Sequence, residues 1–489
     1  MPDGRFASVL EKQKNIPLEE INTMTQPASG SIPTALSHPD WPALKGVPLL
    51  GHLPAFKRDM LGFFEQSQRA CGDQFVASLA GRKLHILCHP QLAEQVLIKD
   101  KGSFGKLSQL RQDIGLPLVL GNGLLMNWGD SWRRQRAMMQ PVFHKAQIAR
   151  MATAITDAGE RMLQRWRRDM APGHGFDVAH EMMAVTMDIV TRTMFSSQIA
   201  DRTDQVAEAF TFLIRFAFSS LSNPLQPPVH WPTPNNRRFR RALSTLDDIL
   251  YGIIRQRAED GDTRGDLLDM LLAAKDEQTG QPMDILQLRD EVATIFGAGH
   301  ETTANALTWT FYLLSQHPEC RSRLHAELAE VLGGRTPQFA DLPQLPYTRA
   351  VFEESMRLYP PAPVIPRAVL QDTGLDGYPL RKGDRVMVSA YQIHRHPDFW
   401  PDAERFDPER FLPGKQDEQR HRCAYLPFGV GPRVCIGNHF ALMEGQLLLA
   451  QIAQRYQLEL EPGHPVAKEV AVTMRPRYGM RMTLAPRPV

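Results

Sequence analysis

Apolar residues recur at intervals of three and four along most of the chain, which is the period of an amphipathic α-helix. The pattern predicts helices over Met138 to Trp166, Val178 to Phe195, Gln205 to Phe218, Arg237 to Arg257, Glu319 to Leu332, Tyr347 to Leu358 and Asn438 to Tyr456. Two short apolar runs differ from these: Gln74 to Leu79 and Lys83 to Cys88 flank Ala80-Gly81-Arg82 and predict a β-hairpin.

One predicted helix is much longer than the others. It runs from Asp284 to His317, and Asp284 and Gln287 are placed as a capping box at its start. Pro318 stops it, because proline cannot continue the hydrogen-bond ladder. At about 1.5 Å per residue such a helix crosses about 50 Å, the width of a whole domain.

Between these elements the chain shows no internal repeat and no linker that would separate domains. Residues 1–45 are predicted to be an extended lead-in, and residues 46–489 one large, mostly helical domain with a small β portion supplied from both ends. The proline-rich stretch from Asn223 to Pro234 contains Trp231 and reads as a surface loop, either a lid over substrate entry or a contact with a membrane surface.

Charge and composition exclude several classes of protein. Of 489 residues, 56 are Lys or Arg and 54 are Asp or Glu, so the net charge of +2 does not favour nucleic-acid binding. No apolar run approaches the roughly 18 residues of a transmembrane helix, and neither a secretory signal nor a membrane anchor is visible. The five cysteines are odd in number and scattered, which favours free thiols in a reducing cytoplasm.

The most informative segment is the glycine-rich loop from Phe428 to Gly437, followed directly by a predicted helix. It presents Cys435 near a helix start whose free N–H groups favour the thiolate, and Arg433 lies two residues away. A thiolate and an arginine so placed are suited to an iron porphyrin and one of its propionates. Two alternatives remain: an inert buried thiol, or a zinc site shared with three nearby residues. Those residues are Cys423, His421 and His439.

A second group lies inside the long helix, in the segment from Ala298 to Thr303. Gly297 and Gly299 each cost a helix about 1 kcal/mol relative to alanine, and a flat group passing close to the backbone would compensate for that cost. Glu301 and Thr302 would then lie beside a dry cavity, unless the threonine bonds back to a carbonyl and the glutamate is an exposed charge.

These segments resemble the cytochrome P-450 family. The haem-ligand signature F-x-x-G-x-R-x-C-x-G is fully matched by Phe428, Gly431, Arg433, Cys435 and Gly437. The resemblance implies the cytochrome P-450 fold with the long helix across the haem, haem b as cofactor, and Cys435 as the iron ligand. It also implies that Trp132, Arg136, Arg367 and Arg433 hold the propionates.

The same resemblance assigns the remaining motifs. Thr302 and Glu301 match the oxygen-activation site, with Thr302 holding dioxygen and Glu301 supplying protons. Glu354 and Arg357 match the E-x-x-R motif, and Arg410 completes its structural triad; on spacing alone this would be a surface ion pair worth little. His394 and His396 are interpreted as structural histidines. The positions that match the distal pocket are Leu124, Leu125, Phe296, Ala298, Val364 and Ile365.

The implied activity is a monooxygenase acting on a lipophilic small molecule, such as a fatty acid or terpenoid. The segment from Ala298 to Thr303 resembles the soluble bacterial members, fatty-acid hydroxylases in particular. We expect no fused reductase, so electrons would come from a ferredoxin or flavodoxin docking near Arg133, Arg134 and Arg433. A peroxygenase or isomerase on the same haem, or a non-catalytic haem-binding protein, are the alternatives.

Overall fold

The computed structural model describes residues 40–487, apart from 110–113, 171–172, 174, 197–202, 223–226, 261–263 and 416–419. Most of the predicted lead-in, residues 1–39, therefore lies outside the described residues, whereas 40–45 have no regular secondary structure. From Asp40 onward the chain forms one compact unit.

Helices make up most of this unit, as the apolar period predicts. They are α1 (Leu53–Arg58), α2 (Met60–Cys71), α3 (Pro90–Glu94), α4 (Pro117–Leu120), α5 (Gly129–Met139), α6 (Lys145–Arg150), α7 (Ala152–Asp169), α8 (Val178–Phe195), α9 (Thr203–Ser222), α10 (Pro234–Asp260), α11 (Leu267–Ala273), α12 (Ile285–Gln316), α13 (Pro318–Leu332), α14 (Pro346–Leu358), α15 (Ala390–Ile393) and α16 (Asn438–Arg455). The helix α8 has the predicted bounds, and Asp177 caps it by accepting a hydrogen bond from the Ala179 N–H at 3.0 Å.

The long helix α12 spans 32 residues. Its N-cap is the predicted one, because the Asp284 carboxylate accepts the Gln287 N–H at 2.8 Å. At the other end Pro318 begins α13 and ends the ladder. The sequence therefore placed both ends of this helix correctly to within one residue.

One helix prediction was wrong. The segment Met138 to Trp166 is not continuous: α5 ends at Met139, a single turn of 3₁₀-helix follows over Gln140–Phe143, and α6 and α7 come after it. Pro141 explains the break, because it has no N–H to donate and its ring clashes with the preceding turn.

The strands come from both ends of the chain, as predicted. They are β1 (Gln74–Leu79), β2 (Arg82–Leu87), β3 (Phe104–Gly105), β4 (Gly175–Asp177), β5 (Ile365–Val369), β6 (Thr373–Leu375), β7 (Tyr378–Leu380), β8 (Arg385–Val388), β9 (Tyr456–Leu460), β10 (Lys468–Val470), β11 (Met474–Pro476) and β12 (Arg481–Pro486). The largest sheet has the order β1-β2-β8-β5-β3, and a second has the order β4-β12-β9. Pairs β6/β7 and β10/β11 form two-stranded hairpins.

The predicted hairpin is β1 and β2. Its turn residues Ala80 and Gly81 have φ angles of 49° and 80°, the left-handed pair that matches the twist of the flanking strands. Along its other edge β2 pairs in parallel with β8, Leu84 facing Arg385, which brings together strands about 300 residues apart in the sequence.

Two hydrophobic clusters share the long helix. The first core contains its C-terminal half, with Leu307 and Trp309 packed among buried residues of α14 and α16. The second core contains its N-terminal half, with Val292 and Phe296 packed among residues of α9 and α10. Among the described helices, none combines the length and apolar character that crossing a bilayer requires.

Glu444 of α16 is a buried acid in this region. Burial raises its pKa to about 8, although the neighbouring Thr303 hydroxyl lowers it. A carboxyl in the unfolded chain titrates near 4.3. Because the native state keeps this proton where the unfolded state has lost it, the free energy of unfolding falls as pH rises between these two values.

We therefore expect Glu444→Gln to remove this contribution. The difference in free energy of unfolding, variant minus wild type, should then increase as pH rises. The expected increase is up to about 1.4 kcal/mol per pH unit between roughly pH 5 and 8. Urea unfolding at several pH values measures the difference. The exposed Glu277 supplies the control, and Glu277→Gln should follow the wild type. An unchanged pH slope in Glu444→Gln would show that Glu444 is not held as the neutral acid.

Candidate active site

The loop before α16 presents a cysteine at its end. Gly429 and Gly431 adopt φ angles of 69° and 74°, and a Cβ on Gly431 would come within 2.7 Å of the Leu97 carbonyl oxygen. The loop closes on itself where the Cys435 N–H donates to the Phe428 carbonyl at 2.9 Å. Among the five cysteines, all of them free, Cys435 is the exposed one. The loop therefore needs its glycines and offers a single thiol.

Two opposing effects act on this thiol. Its sulfur lies close to many surrounding protein atoms although the residue is exposed, and this desolvation raises the pKa of Cys435. The Gly437 N–H and the Arg136 charge lower it, as expected for a cysteine at a helix start. A bound metal cation is the kind of charge that deprotonates a coordinating thiol.

The zinc alternative finds no support in the described part of the chain. Cys423 is fully buried, and the one group there with ligand atoms close enough to share a metal ion is Asp73, His89 and His396. In that group the ring Nδ1 of His89 faces the Gln91 N–H at 3.2 Å, and that of His396 faces the Asp398 N–H at 3.3 Å. Each ring then carries its proton on Nε2, which leaves no lone pair there for a metal.

His396 and His394 are structural, as interpreted from the sequence. The His396 ring lies 3.1 Å from the Asp73 carboxylate. His394 is fully buried, and its Nε2 accepts the Leu426 N–H at 2.7 Å while its Nδ1 donates to the Arg357 carbonyl at 3.1 Å. Burial accordingly lowers the pKa of His394 to about 3.

Four cations gather near the cysteine loop. Arg433 stacks 3.8 Å over the Trp132 ring and donates to the Asn127 carbonyl at 2.8 Å. Burial together with the charges of Arg367 and Arg136 lowers the pKa of Arg433 to about 9. The other members of the group are Arg136, Arg367 and Lys106. No carboxylate of the described residues forms an ion pair with any of the four, so the group is suited to bind anions.

Lys106 is the member that sequence reasoning missed. Burial and the charges of Arg367 and Arg433 lower its pKa well below the ordinary value. It follows β3, whose Gly105 pairs with Ala368 of β5, so the strand pairing carries Lys106 to Arg367. No local motif marks this lysine, and only the antiparallel pairing of β3 with β5 reveals it.

Arg136 also contacts the cysteine loop itself. Its guanidinium donates to the Val434 carbonyl at 2.9 Å, the residue before Cys435. Burial lowers its pKa, whereas the nearby Cys435 raises it. Arg136 thus fixes the cysteine loop directly, in addition to lying near the anion-binding group.

The long helix carries the second part of the site. Ala298 is exposed in the middle of this largely buried helix, and Thr302 is partly exposed one turn later. The Thr302 hydroxyl donates to the Ala298 carbonyl at 2.7 Å, the back-bonding that was the alternative to a role in chemistry. Its oxygen lone pairs remain as acceptors on the same open side of the helix.

The two glycines of this helix lie against neighbouring helices. A Cβ on Gly297 would lie 2.1 Å from the Phe210 ring of α9, and one on Gly299 would lie 3.1 Å from Val190 of α8. Glycine at both positions therefore lets neighbouring helices approach closely. The expectation that a flat group passes close to these glycines stays a prediction.

The triad assigned from the E-x-x-R motif is assembled and buried. Arg357 binds Glu354 through two hydrogen bonds of 2.6 and 2.7 Å, and both side chains are fully buried. Arg410 lies 3.6 Å from the same carboxylate. Arg357 also donates to three backbone carbonyls, those of His394, Ala403 and Arg405. It thereby ties α14 to the irregular chain that precedes the cysteine loop.

Comparison with known proteins agrees with this geometry. The family described as Cytochrome P450 matches residues 42–480. Cyclooctat-9-en-7-ol 5-monooxygenase of Streptomyces melanosporofaciens is 39% identical, with 89% of this chain and 93% of that protein covered. Pentalenene oxygenase of Streptomyces avermitilis is 34% identical, with 90% and 96% covered. The crystal structure of the cytochrome P450DA heme domain matches with a TM-score of 0.84 at 25% identity, covering 92% of this chain and 98% of that one.

The chain belongs to the cytochrome P450 family. It is a cytochrome P450 monooxygenase, its cofactor is haem b, and it works with a redox partner on a small-molecule substrate. The residues present fit that cofactor: an accessible thiol on a tight loop, and beside it four cations without carboxylate partners, which match the negative charge of two propionates.

The residues predicted to line the P450 substrate pocket separate into two groups. Leu125 and Ala298 are exposed, and Val364 and Ile365 are partly exposed. Leu124 and Phe296 are instead buried in the second core, and the Phe296 ring packs 5.6 Å from that of Phe210. Phe296 is therefore a packing residue in this structure. The proline-rich loop predicted from Asn223 to Pro234 lies partly outside the described residues. Within its described part, at 227–233, the Trp231 side chain is exposed.

Proposed function

We propose that this P450 oxidises a lipophilic cyclic terpenoid, inserting one oxygen atom from dioxygen into a C–H bond or an alkene. The observation that carries the proposal is what its relatives are named for. Two relatives that align with about nine-tenths of this chain are named as oxygenases of cyclooctat-9-en-7-ol and of pentalenene. The exposed pocket positions are apolar as well, which favours a substrate held by shape. A terpenoid thus replaces the fatty acid suggested by the helix motif.

The haem supplies the oxidation chemistry itself when bound. In our proposal Cys435 holds the iron and tunes it, while Arg367, Arg433 and Lys106 pair with the propionates and Arg136 holds the loop. Glu301 and Thr302 are both partly exposed on α12 near the exposed Ala298, and together they deliver protons from solvent to the open space there. The buried residues of the second core keep other water out.

We further propose that electrons come from a ferredoxin or flavodoxin in the cytoplasm. An exposed positive surface close to the cysteine loop supports an acidic partner. The exposed Lys145 lies near His439, four residues after Cys435, whose pKa is lowered by burial and by this charge. The residues suggested earlier fit less well, because Arg433 is stacked on Trp132 and Arg133 and Arg134 pair with carboxylates. The free cysteines are consistent with a reducing compartment.

A substrate panel tests the proposed function. Haem-loaded protein is supplied with a surrogate ferredoxin, its reductase and NADPH, and is offered cyclic terpene hydrocarbons, their alcohols and fatty acids under ¹⁸O₂. We expect oxygenated terpenoids that carry one labelled oxygen atom and require both dioxygen and reductant. Turnover of fatty acids alone, or product formation without dioxygen, would overturn the proposal.

Removal of the Thr302 hydroxyl tests whether this side chain takes part in proton delivery. In Thr302→Ala we expect haem content to be unchanged and product per electron to fall roughly tenfold or more, with the lost electrons recovered as hydrogen peroxide. Thr302→Ser keeps the hydroxyl and should recover most of the yield. Equal product per electron in wild type and Thr302→Ala would contradict the proposed role.

A further inference from the structure

A polar chain connects Glu301 to a hairpin far away in the sequence. The Thr473 hydroxyl donates to Glu301 Oε1 at 2.7 Å and accepts from the Asn305 side-chain amide at 3.2 Å. Thr473 and Asn305 are both buried, with exposed fractions of 6% and 3%. Neither residue belongs to a motif that the sequence analysis recognised.

The donor and acceptor groups determine the direction of each hydrogen bond between Asn305, Thr473 and Glu301. An amide nitrogen of asparagine only donates, so the Thr473 oxygen must accept from it and can turn its own proton toward the carboxylate. Glu301 Oε1 is then occupied as an acceptor, while no described residue donates to Oε2. One oxygen of the Glu301 carboxylate is therefore held in place by Thr473, and the other is not.

The position of Thr473 is itself fixed. It closes the turn between β10 and β11, where the Ala471 N–H donates to the Thr473 carbonyl at 3.0 Å. The next residue, Met474, accepts the Trp309 indole N–H at 3.3 Å and donates its N–H to the Pro361 carbonyl at 2.9 Å. The hairpin is thus attached to the long helix one to two turns after Glu301.

The same turn also packs against the second core. Val472, next to Thr473, is partly buried and contacts this core, which contains Leu124 and Phe296. A side chain that contacts the second core and one that holds Glu301 are therefore neighbours on one short turn.

We propose that Thr473, held by Asn305, is a positioning residue that orients Glu301 for proton delivery. The proposal rests on the proposed role of Glu301 in that step. Thr473 does not exchange protons with the reacting atoms; it holds Oε1 and so limits rotation of the Glu301 carboxylate. Loss of its hydroxyl leaves the carboxylate free to rotate away.

Three variants test this. Thr473→Val keeps the shape and removes the hydroxyl, Thr473→Ser keeps the hydroxyl, and Thr483→Val is the control, because that hydroxyl contacts only a backbone carbonyl at 3.5 Å. In Thr473→Val we expect product per electron to fall about fivefold, the factor for one lost hydrogen bond. The solvent deuterium isotope effect on turnover should rise with it. Thr473→Ser and Thr483→Val should behave like the wild type.

Two further measurements separate positioning from a general structural effect. In a double-mutant cycle, Thr473→Val should add nothing once Glu301 has been replaced by glutamine, because it acts through that carboxylate. A crystal structure of haem-loaded Thr473→Val should show the Glu301 side chain turned from its wild-type position, a readout that needs no turnover.

The outcomes distinguish the two proposals. If Glu301→Gln leaves product per electron unchanged, the proposed role of Glu301 fails. If Glu301→Gln lowers it and Thr473→Val does not, or if both variants lower it additively, the positioning role of Thr473 is overturned. An unmoved Glu301 in the crystal structure of Thr473→Val overturns it as well.

Discussion

Replacing Cys435 by serine should abolish the strongly red-shifted Soret band of the reduced, carbon-monoxide-bound protein and reduce product formation to background. A serine hydroxyl is a much weaker acid than a thiol and does not supply the soft anionic sulfur that sets the electronic character of the iron. The visible difference spectrum and the haem content of the purified variant measure the effect. Haem should still bind in part, because the cations that pair with its propionates are unchanged.

Cys71→Ser is the matched control for this change. Cys71 is a free, partly exposed thiol at the end of α2 and lies outside the candidate site. Its variant should keep the red-shifted band in full. A Cys435→Ser protein that retains the band in a folded, haem-loaded state would remove Cys435 as the iron ligand, and the assignment of the site would fall with it.

Arg357→Ala should be the most destabilising single substitution among the site residues. It removes two hydrogen bonds to Glu354 and three to backbone carbonyls. The buried Glu354 carboxylate then keeps only the Asp407 N–H at 2.9 Å and Arg410 at 3.6 Å among the described residues. Breaking one side of a buried ion pair costs about 3 to 5 kcal/mol. We expect little folded protein, and low haem content in what is recovered.

Urea unfolding and haem content per chain measure this effect, and two variants control it. Arg357→Lys keeps the charge without the planar fork and should still lose most of the stability. Arg381→Ala removes an exposed ion pair with Asp372, whose side chains are 75% and 60% exposed, and should change the free energy of unfolding by less than about 1 kcal/mol. A free energy of unfolding for Arg357→Ala within that same range would show that the triad does not stabilise the fold.

Local signals were sufficient where a feature depends on neighbours in the sequence. Asp284 and Pro318 fixed the ends of the long helix, and Gly81 fixed the turn of the first hairpin. The same holds for the cysteine loop, where Gly429 and Gly431 adopt the left-handed conformations that glycine permits. The break at Pro141 was equally local, and a stricter use of the proline rule would have found it.

Features that depend on distant parts of the chain were not predictable in this way. Position 297 needs a glycine because the Phe210 ring of another helix occupies the space where a side chain would lie. Lys106 joins the cations because β3 pairs with β5, and Thr473 reaches Glu301 across 172 residues. The apolar period assigns a residue to the inner face of a helix but does not say which neighbour it will meet, such as the Phe210 ring that packs against Phe296.

The division of α12 between two cores has an evolutionary consequence. Phe296 belongs to the second core and Ala304 to the first, so the boundary lies within one short stretch that includes Glu301 and Thr302. The second core, formed largely by α9, α10 and the first half of α12, can change in sequence while the first core, which packs against Phe428 and contains much of α16, stays the same. A lineage of such proteins can therefore diversify on one side of this helix and remain constrained on the other.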